Sequence, residues 1–281
     1  MGIQWDDGQS IKQSIFPGGE IFIRLCGDYL TGENVIIVTR LNTSDDIMEL
    51  IMATDAIRRM KPKSISVYFP YLPYARQDRV CTGGEAFSLK VFGNLLNTQG
   101  YKEVRVLDAH SYVAGACIDN LAVDRNTILV GTAIQYHHNK NGGFAGETIL
   151  VSPDAGALHK IHDIAQWCKF TDLAVGEKVR DLKTGNVIRT DVNRQDFEGK
   201  DCWIVDDICD GGRTFIELAK VLKERNAGKV MLFVTHGIFS KGFEPLAEHF
   251  NHVYFTNSIK DLPLVETVVG DCTFTQIEIK N

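Results

Sequence analysis

The ten residues from Val205 to Thr214, VDDICDGGRT, constrain this chain more than any other stretch. The short apolar run that leads into them predicts a buried strand that stops at two carboxylates, Asp206 and Asp207. After the glycines, apolar residues recur at helical spacing to about residue 226, and these residues are Phe215, Leu218, Ala219 and Leu222. The stretch therefore predicts a strand, a glycine loop and a helix in that order.

This order of elements suits the binding of a sugar phosphate. Backbone N–H groups of a glycine loop and a helix N-terminus converge on one point, where the positive end of the helix dipole favours an anion. The two acids cannot serve a phosphate, so they need hydroxyl groups or a cation as partners. A ribose phosphate offers both. The alternative for a lone D-x-G-G pattern is a helix N-cap with acids placed on the dipole.

Length and element order predict an α/β protein with two domains. At 281 residues the chain is long enough for two domains that each bury a core. Strands alternate with helical patterns in both halves, which predicts two mainly parallel sheets, each flanked by helices. The polar, glycine-rich segment 136–146 is the expected junction or exposed loop, and we place the domains at residues 1–130 and 131–281.

Composition excludes several classes of protein. A net charge of -6 argues against nucleic acid as a partner, since phosphate backbones require clustered lysine and arginine. The sequence has no apolar run of 18 residues and no signal-peptide pattern, so we expect a cytoplasmic protein without a membrane partner. The seven cysteines form no C-x-x-C pair, and Cys209 is expected to be a small buried apolar residue.

The stretch 205–214 resembles the ribose-phosphate loop of type I phosphoribosyltransferase folds, in which a strand leads into two acids and a D-T-G-x-T loop. From about Phe16 to Ile259 the chain resembles ribose-phosphate pyrophosphokinases. The resemblance implies two phosphoribosyltransferase-like domains, an ATP-binding one at 1–130 and a ribose-phosphate-binding one at 131–281. It also implies a homo-oligomer that uses Mg²⁺ to transfer the diphosphate of ATP to the C1 hydroxyl of ribose 5-phosphate.

Two segments carry the resemblance at the ATP site. Phe16-Pro-Gly-Gly-Glu20 is similar to the family's F-x-[ND]-G-E, which implies that Phe16 stacks on adenine and Glu20 contacts it; Gly18 departs from the pattern. Judged on the pentapeptide alone, Phe16 is equally well a core residue. The run PYARQD is nearly identical to the family's ATP motif and implies contacts from Arg76, Gln77 and Asp78.

Catalytic and metal-binding residues follow from three further matches. Lys178 and Arg180 match the family's K-x-R on a flexible catalytic loop, and the charged segment 175–194 predicts a mobile loop that closes as a hairpin. The run DAHS implies that His110 contacts metal or phosphate, with Asp108 beside it on the same side of a strand end. The run SPDAG implies that Asp154 lies near the ribose and its metal.

The phosphate loop itself departs from the usual family pattern at two positions. The residues implied in ribose-phosphate binding are Asp206, Asp207, Asp210, Gly211, Gly212, Arg213 and Thr214. Gly211 stands where threonine is usual and Arg213 where glycine is usual. Less bulk and an added cation would admit a larger or more highly charged 5′-group, such as the diphosphate of ADP-ribose.

Other readings of the sequence remain open. ADP-ribose competes with ribose 5-phosphate as acceptor, and a single-step phosphoribosyltransferase or a non-catalytic regulatory relative would share the fold. His236, in THGIFSKG, is expected to support the phosphate loop structurally. The histidine pairs at 137–138, 159–162 and 249–252 have metal-like spacing, but no carboxylate or cysteine pattern accompanies them, and we expect them at the surface.

Overall fold

A computed structural model of the chain describes residues 10–26, 31–141, 148–180 and 187–279. It divides into two compact units, the first ending at Arg125 and the second beginning at Asn126. Residue 130, where we predicted the boundary, lies within the first helix of the second unit. Each unit is described by itself below.

The first unit contains an antiparallel hairpin and a separate four-stranded parallel sheet. The hairpin pairs the first two strands, and the sheet follows chain order from the third strand to the sixth. In chain order its elements are β1 (Ser10–Ile15), β2 (Ile21–Cys26), β3 (Asn34–Val38), α1 (Ser44–Arg59), β4 (Ser64–Tyr68), α2 (Ser88–Asn97), β5 (Val104–Leu107), α3 (Val113–Cys117) and β6 (Leu121–Asp124).

Helix α1 shows how local chemistry fixes an element of this unit. Its N-cap is Thr43, one residue before the predicted Ser44, because a capping box forms there. The Thr43 hydroxyl accepts from the Asp46 N–H at 3.2 Å, and the Asp46 carboxylate accepts from the Thr43 N–H at 2.7 Å. Leu50 and Ile57 then lie on the helix face that packs against the sheet.

The second unit is built on one eight-stranded sheet in the order β13-β14-β12-β11-β10-β7-β8-β9. Its middle is parallel, while β13 and β9 pair antiparallel at the two edges. In chain order its elements are α4 (Thr127–Asn141), β7 (Ile149–Ser152), α5 (Leu158–Cys168), β8 (Leu173–Arg180), β9 (Val187–Val192), β10 (Cys202–Cys209), α6 (Arg213–Glu224), β11 (Val230–Gly237), α7 (Glu244–Ala247), β12 (His252–Thr256), β13 (Glu266–Val269) and β14 (Cys272–Ile277).

Both faces of this sheet are covered by helices. Along β10, Cys202 and Ile204 belong to the apolar cluster that contains the inner face of α6. Trp203 and Val205 belong to the cluster that contains the inner faces of α4 and α5. Strands buried on both faces read as continuous apolar runs, which is why this part of the sequence is apolar without alternation. The predicted α/β fold, with parallel sheets flanked by helices, is confirmed.

Two details of the predicted elements are wrong. Strand β10 does not stop at the two acids but continues to Cys209. Residues 136–141 belong to α4 and not to a junction loop. The hairpin predicted for segment 175–194 is confirmed, because β8 and β9 pair antiparallel. Residues 181–186, between the two strands, lie outside the described residues. None of the helices in the described ranges is long and apolar enough to cross a membrane.

His137 was expected at the surface, but it is only 4% exposed. It lies on the face of α4 that packs on the sheet, four residues after Ala133, so helical spacing carries it inward. Its Nδ1 is 2.8 Å from the Tyr254 hydroxyl, and its ring packs edge-on against His252 and Trp203. Burial, followed by the nearby His252 and His138, lowers the pKa of His137 to about 4.

We expect this histidine to make the fold sensitive to acid. Its pKa is depressed in the folded state, so protonation favours unfolding; its contribution is complete above pH 6.5 and is lost as pH falls toward 4. The loss should be on the order of 2–3 kcal/mol. Urea unfolding of the wild type and of His137→Gln between pH 4 and 8 measures it, and the variant should show a flatter pH dependence.

The matched control is His162→Gln, because His162 is exposed on α5. In this control variant, the free energy of unfolding should depend on pH as it does in the wild type. If His137→Gln kept the full wild-type slope, His137 would not be the source of the acid sensitivity.

Candidate active site

Two adjacent carboxylates, Asp206 and Asp207, lie near the C-terminal end of β10. This strand is central in the second unit's sheet, and the acids lie at the side of the sheet where the parallel strands end. The two carboxylates lie close enough to interact, since the pKa of Asp206 is raised by burial and then by the charge of Asp207. Asp207 is 5% exposed, and one of its oxygens lies 3.8 Å from Nζ of Lys160 on α5. Lys160 was not found by sequence reasoning, because no pattern separates it from the other lysines of the chain.

Asp206 lies in a strongly negative environment. Burial, followed by the charge of Asp207, raises the pKa of Asp206 well above its usual value, and the charge of Asp154 adds to the effect. Asp154 follows β7, and its Oδ1 accepts from the N–H groups of Gly156 and Ala157 at 3.0 and 3.2 Å. The structure therefore brings Asp154, predicted from SPDAG, into electrostatic contact with the acid pair.

The acidic residues of this edge fit a hard divalent cation. Within the described ranges, no group of three or more histidine, cysteine, aspartate or glutamate side chains is arranged as a complete metal cage. Mg²⁺ does not require one, because it keeps several waters and takes one or two carboxylates together with substrate phosphates. A cation beside Asp206 and Asp207 would also relieve the repulsion that raises the pKa of Asp206.

The loop after β10 ends at the N-terminus of α6. The N-cap of α6 is Gly212, with a φ of 76°, and this residue has no side chain to cap the helix. The first turn of α6 contains no acid. The N–H groups of this turn and the helix dipole therefore favour an anion at this point. Asp210 and Gly211 precede the cap, and Arg213 is exposed at the first helical position.

His236 lies on β11, the strand that pairs with β10. It is buried, and its Nδ1 is 2.9 Å from the Ser258 hydroxyl. The Ser258 hydroxyl in turn donates to the Thr235 carbonyl at 3.1 Å. These contacts leave His236 inside the protein, beside the strand that carries the acids.

Lys178 and Arg180 belong to β8, but their side chains lie outside the described residues. The base of the β8–β9 hairpin is fastened by two arginines. Arg225, at the C-terminus of α6, donates to the Arg194 carbonyl at 2.6 Å and also bonds the Asp191 carboxylate. Arg194 donates to both carboxylate oxygens of Asp172 at 2.7 Å. The segment predicted to carry the catalytic cations therefore starts from a fixed base.

In the first unit, three of the residues predicted to contact ATP follow β4 in the chain. They are Arg76, Gln77 and Asp78. Asp78 is buried, whereas Arg76 and Gln77 are exposed. Burial alone would raise the pKa of Asp78, but the nearby Ser111 hydroxyl, Arg79 and His110 together hold it below its usual value. Asp78 and His110, predicted from separate motifs, are thus brought together.

Gln77 is held by the helix that follows. Its side-chain oxygen accepts from the Ser88 hydroxyl at 2.6 Å, and its carbonyl accepts from the Leu89 N–H at 3.3 Å. The start of α2 therefore fixes the turn that carries Arg76 and Gln77, which leaves the exposed arginine at a defined place on the surface.

Asp108 and His110 are not presented as the sequence suggested. Strand β5 ends at Leu107, and Asp108 has a φ of 46°, in the left-handed region. The strand alternation that would point both side chains to one side therefore does not reach them. Asp108 is buried, while His110 is exposed.

The segment 16–20 closes the β1–β2 hairpin. Phe16 is 54% exposed and touches only the edge of Phe22 among aromatic rings, so it is not a core residue. A Cβ at Gly18 would lie 2.6 Å from a carboxylate oxygen of Glu20. The departure at Gly18 therefore gives the Glu20 side chain room to fold back over the turn.

Comparison with known families places most of the chain beside one group of enzymes. Residues 7–100 match the model of the N-terminal domain of ribose phosphate pyrophosphokinase. Residues 190–265 match the model of the phosphoribosyl synthetase-associated domain.

Individual relatives and a solved structure agree with these matches. A ribose-phosphate pyrophosphokinase of Hyphomonas neptunium is 32% identical over 227 residues, which are 80% of this chain and 70% of that protein. One from Sulfolobus acidocaldarius is 30% identical over 233 residues, 82% of this chain and 77% of that protein. The crystal structure of phosphoribosylpyrophosphate synthetase from Mycobacterium smegmatis superposes with a TM-score of 0.79 at 26% identity, covering 95% of this chain and 86% of that one.

The two loop glycines should respond differently to an added methyl group. At Gly212 the φ of 76° is unfavourable for alanine, and a Cβ would lie 2.9 Å from a Leu246 methyl. Gly212→Ala should lower the free energy of unfolding by about 1–3 kcal/mol. Gly211→Ala is the matched control, because its φ is not positive and its Cβ would make ordinary contact at 3.5 Å. Denaturant unfolding of both variants measures the difference, and equal effects would contradict the prediction.

Proposed function

Because the chain belongs to the ribose-phosphate pyrophosphokinase family, we propose that it transfers the β,γ-diphosphate of ATP to the C1 hydroxyl of a ribose 5-phosphate acceptor, with Mg²⁺ as cofactor. With ribose 5-phosphate the products are phosphoribosyl diphosphate and AMP. The family resemblance and the α/β fold of the sequence analysis are both confirmed.

One observation supports this function best: the buried Asp207 and the half-buried Asp206 lie one short loop before a helix whose N-cap is glycine and whose first turn contains no acid. Carboxylates accept hydrogen bonds from ribose hydroxyls, and bare amides on a helix dipole bind a phosphate. A ribose phosphate presents both kinds of group. An ordinary structural helix cap would explain the amides but not the acid pair.

The proposed binding roles follow from the residue types. In the first unit, Phe16 stacks on adenine, Glu20 contacts it, and Arg76, Gln77 and Asp78 bind along the purine and phosphates. In the second unit, Asp206 and Asp207 bind the ribose hydroxyls. The residues proposed to hold the 5′-phosphate are Asp210, Gly211, Gly212, Arg213 and Thr214.

The transfer is an in-line displacement at phosphorus. The C1 oxygen attacks the β-phosphorus, the bond from that phosphorus to the bridging α,β-oxygen breaks, and AMP leaves. Lys178 and Arg180 neutralise charge on the transferred group, and His110 contacts it. Asp154, Asp108 and His110 are the residues proposed to contact Mg²⁺. When bound, Mg²⁺ supplies positive charge to the phosphate oxygens and orients them.

ADP-ribose is the second candidate acceptor, and the loop itself favours it. Gly211 has no side chain, and Arg213 adds an exposed guanidinium beside the phosphate position. Such a loop accommodates a 5′-substituent larger than one phosphate. The chemistry at C1 is the same for both acceptors. We propose a homo-oligomer in the cytoplasm for either case, with no nucleic acid or membrane partner.

Two other classes fit the residues less well. A single-step phosphoribosyltransferase would use the same phosphate loop but would not need Phe16, Glu20 or the ATP turn at 73–78. A non-catalytic regulatory relative would not need Lys178 and Arg180, which this chain retains.

The activity is tested by incubating the protein with ATP, Mg²⁺ and either ribose 5-phosphate or ADP-ribose. We expect release of AMP that depends on acceptor, and a phosphorus NMR spectrum with a new diphosphate ester at C1. Transfer of ribose phosphate from phosphoribosyl diphosphate to a base, without AMP release, would instead identify a phosphoribosyltransferase. Absence of both reactions would favour the regulatory relative.

Lys178→Met should lower kcat by on the order of 100-fold, because a cation that neutralises the transferred group is lost. The KM for ATP should change far less, since the proposed contact strengthens in the transition state. Lys102→Met, at an exposed lysine of the first unit, is the control. Steady-state kinetics with an unchanged kcat for Lys178→Met would contradict the catalytic role.

A further inference from the structure

The loop from Ile238 to Gly242 is fastened to the end of β10. The N–H groups of Ile238 and Phe239 both donate to the Cys209 carbonyl, at 2.9 and 3.2 Å. Gly242 donates to the Phe239 carbonyl at 3.0 Å and closes the turn. These bonds therefore fix the position of residues 238–242 relative to β10, the strand that leads into the phosphate loop.

Phe239 anchors the same loop in the core. Its side chain is 6% exposed and packs against Phe243 and Phe255. It adopts a φ of 47°, and its ring fills the space beside Gly237, where a Cβ would lie 2.2 Å from it. A non-glycine residue in this conformation persists only when its surroundings hold it. The position of the next residues, including Lys241, is thus set by the fold.

Lys241 extends from this loop across Gly211. A Cβ at Gly211 would lie 3.5 Å from both Cδ and Cε of Lys241. The lysine stem therefore occupies the space that the side chain of a larger residue at 211 would take. The ammonium group is one bond beyond Cε, which places it beside the phosphate loop. The absence of a side chain at Gly211 thus leaves room for the stem of Lys241.

Lys241 and Arg213 form no ion pair in the part of the chain that the structure describes. The first turn of α6 contributes no acid. Lys160, by contrast, pairs with Asp207. Two exposed cations thus lie beside the N-terminus of α6, which by itself suffices for one phosphate.

We propose that Lys241 binds a second phosphate in the 5′-substituent of the acceptor, so that this site takes a ribose whose 5′-group is a diphosphate. A terminal phosphate monoester carries most of two negative charges on one phosphorus. A diphosphate diester spreads its charge over two phosphorus atoms. A cation beside the loop binds the phosphate that is farther from the ribose. The inference rests on the proposed function of this site and selects the second of its two acceptors.

Lys241→Met tests this role, because methionine keeps an apolar stem and removes the charge. We expect the KM for ADP-ribose to rise about tenfold or more, the change expected for loss of a charge-assisted hydrogen bond. The KM for ribose 5-phosphate and both kcat values should stay within about threefold. Lys241→Arg should restore most of the affinity, and Lys260→Met, at an exposed lysine of the same unit, should behave as wild type.

Gly211→Thr is an independent test, because it keeps Lys241 but fills the space of its stem. It should raise the KM for ADP-ribose more than the KM for ribose 5-phosphate, because both acceptors use the phosphate loop and only ADP-ribose would also use Lys241. Equilibrium binding of ADP-ribose without ATP, by calorimetry, provides a second readout for both variants and should weaken in parallel.

The outcomes separate this inference from the proposed function. If the wild type released no AMP with either acceptor, the proposed function would fail. If it released AMP but Lys241→Met left the KM for both acceptors unchanged, or raised both equally, the proposed function would stand. The role of Lys241 would then be overturned.

Discussion

The second unit depends on holding two neighbouring carboxylates, Asp207 buried and Asp206 half-buried, at the end of an otherwise apolar strand. Burial of a charge is costly unless it is paired, and Lys160 lies 3.8 Å from the Asp207 carboxylate. Asp154 adds further negative charge to Asp206. Hydroxyl donors and a cation from bound ligands would lower this electrostatic cost, so the same feature that strains the unliganded protein provides the binding energy.

Helix α6 connects the two parts of the candidate site in this unit. Its N-terminus follows the phosphate loop, and its C-terminal Arg225 holds the base of the β8–β9 hairpin. Leu218 and Leu222 are buried against the sheet between these two ends. The apolar face of one helix therefore fixes both an anion-binding end and the segment that carries Lys178.

The sequence predicted the strands, the glycine loop and α6 because apolar periodicity and glycine placement are local signals. It did not predict that His137 is buried, since a polar run masked the helical spacing of one residue. It also missed the left-handed turn at Asp108, which ends the alternation of β5. Lys160 and Lys241 lie beside residues distant in sequence, Asp207 and Gly211, and no local pattern marks such contacts.

Arg225 holds the base of the β8–β9 hairpin, and this contact affects which sequence changes the hairpin can tolerate. Because the arginine bonds backbone carbonyls of Val192 and Arg194, these contacts do not depend on which side chains occupy the hairpin. Insertions or deletions beyond the clamp would leave the helix and sheet undisturbed. The length of the hairpin can therefore change without loss of the contacts that hold its base.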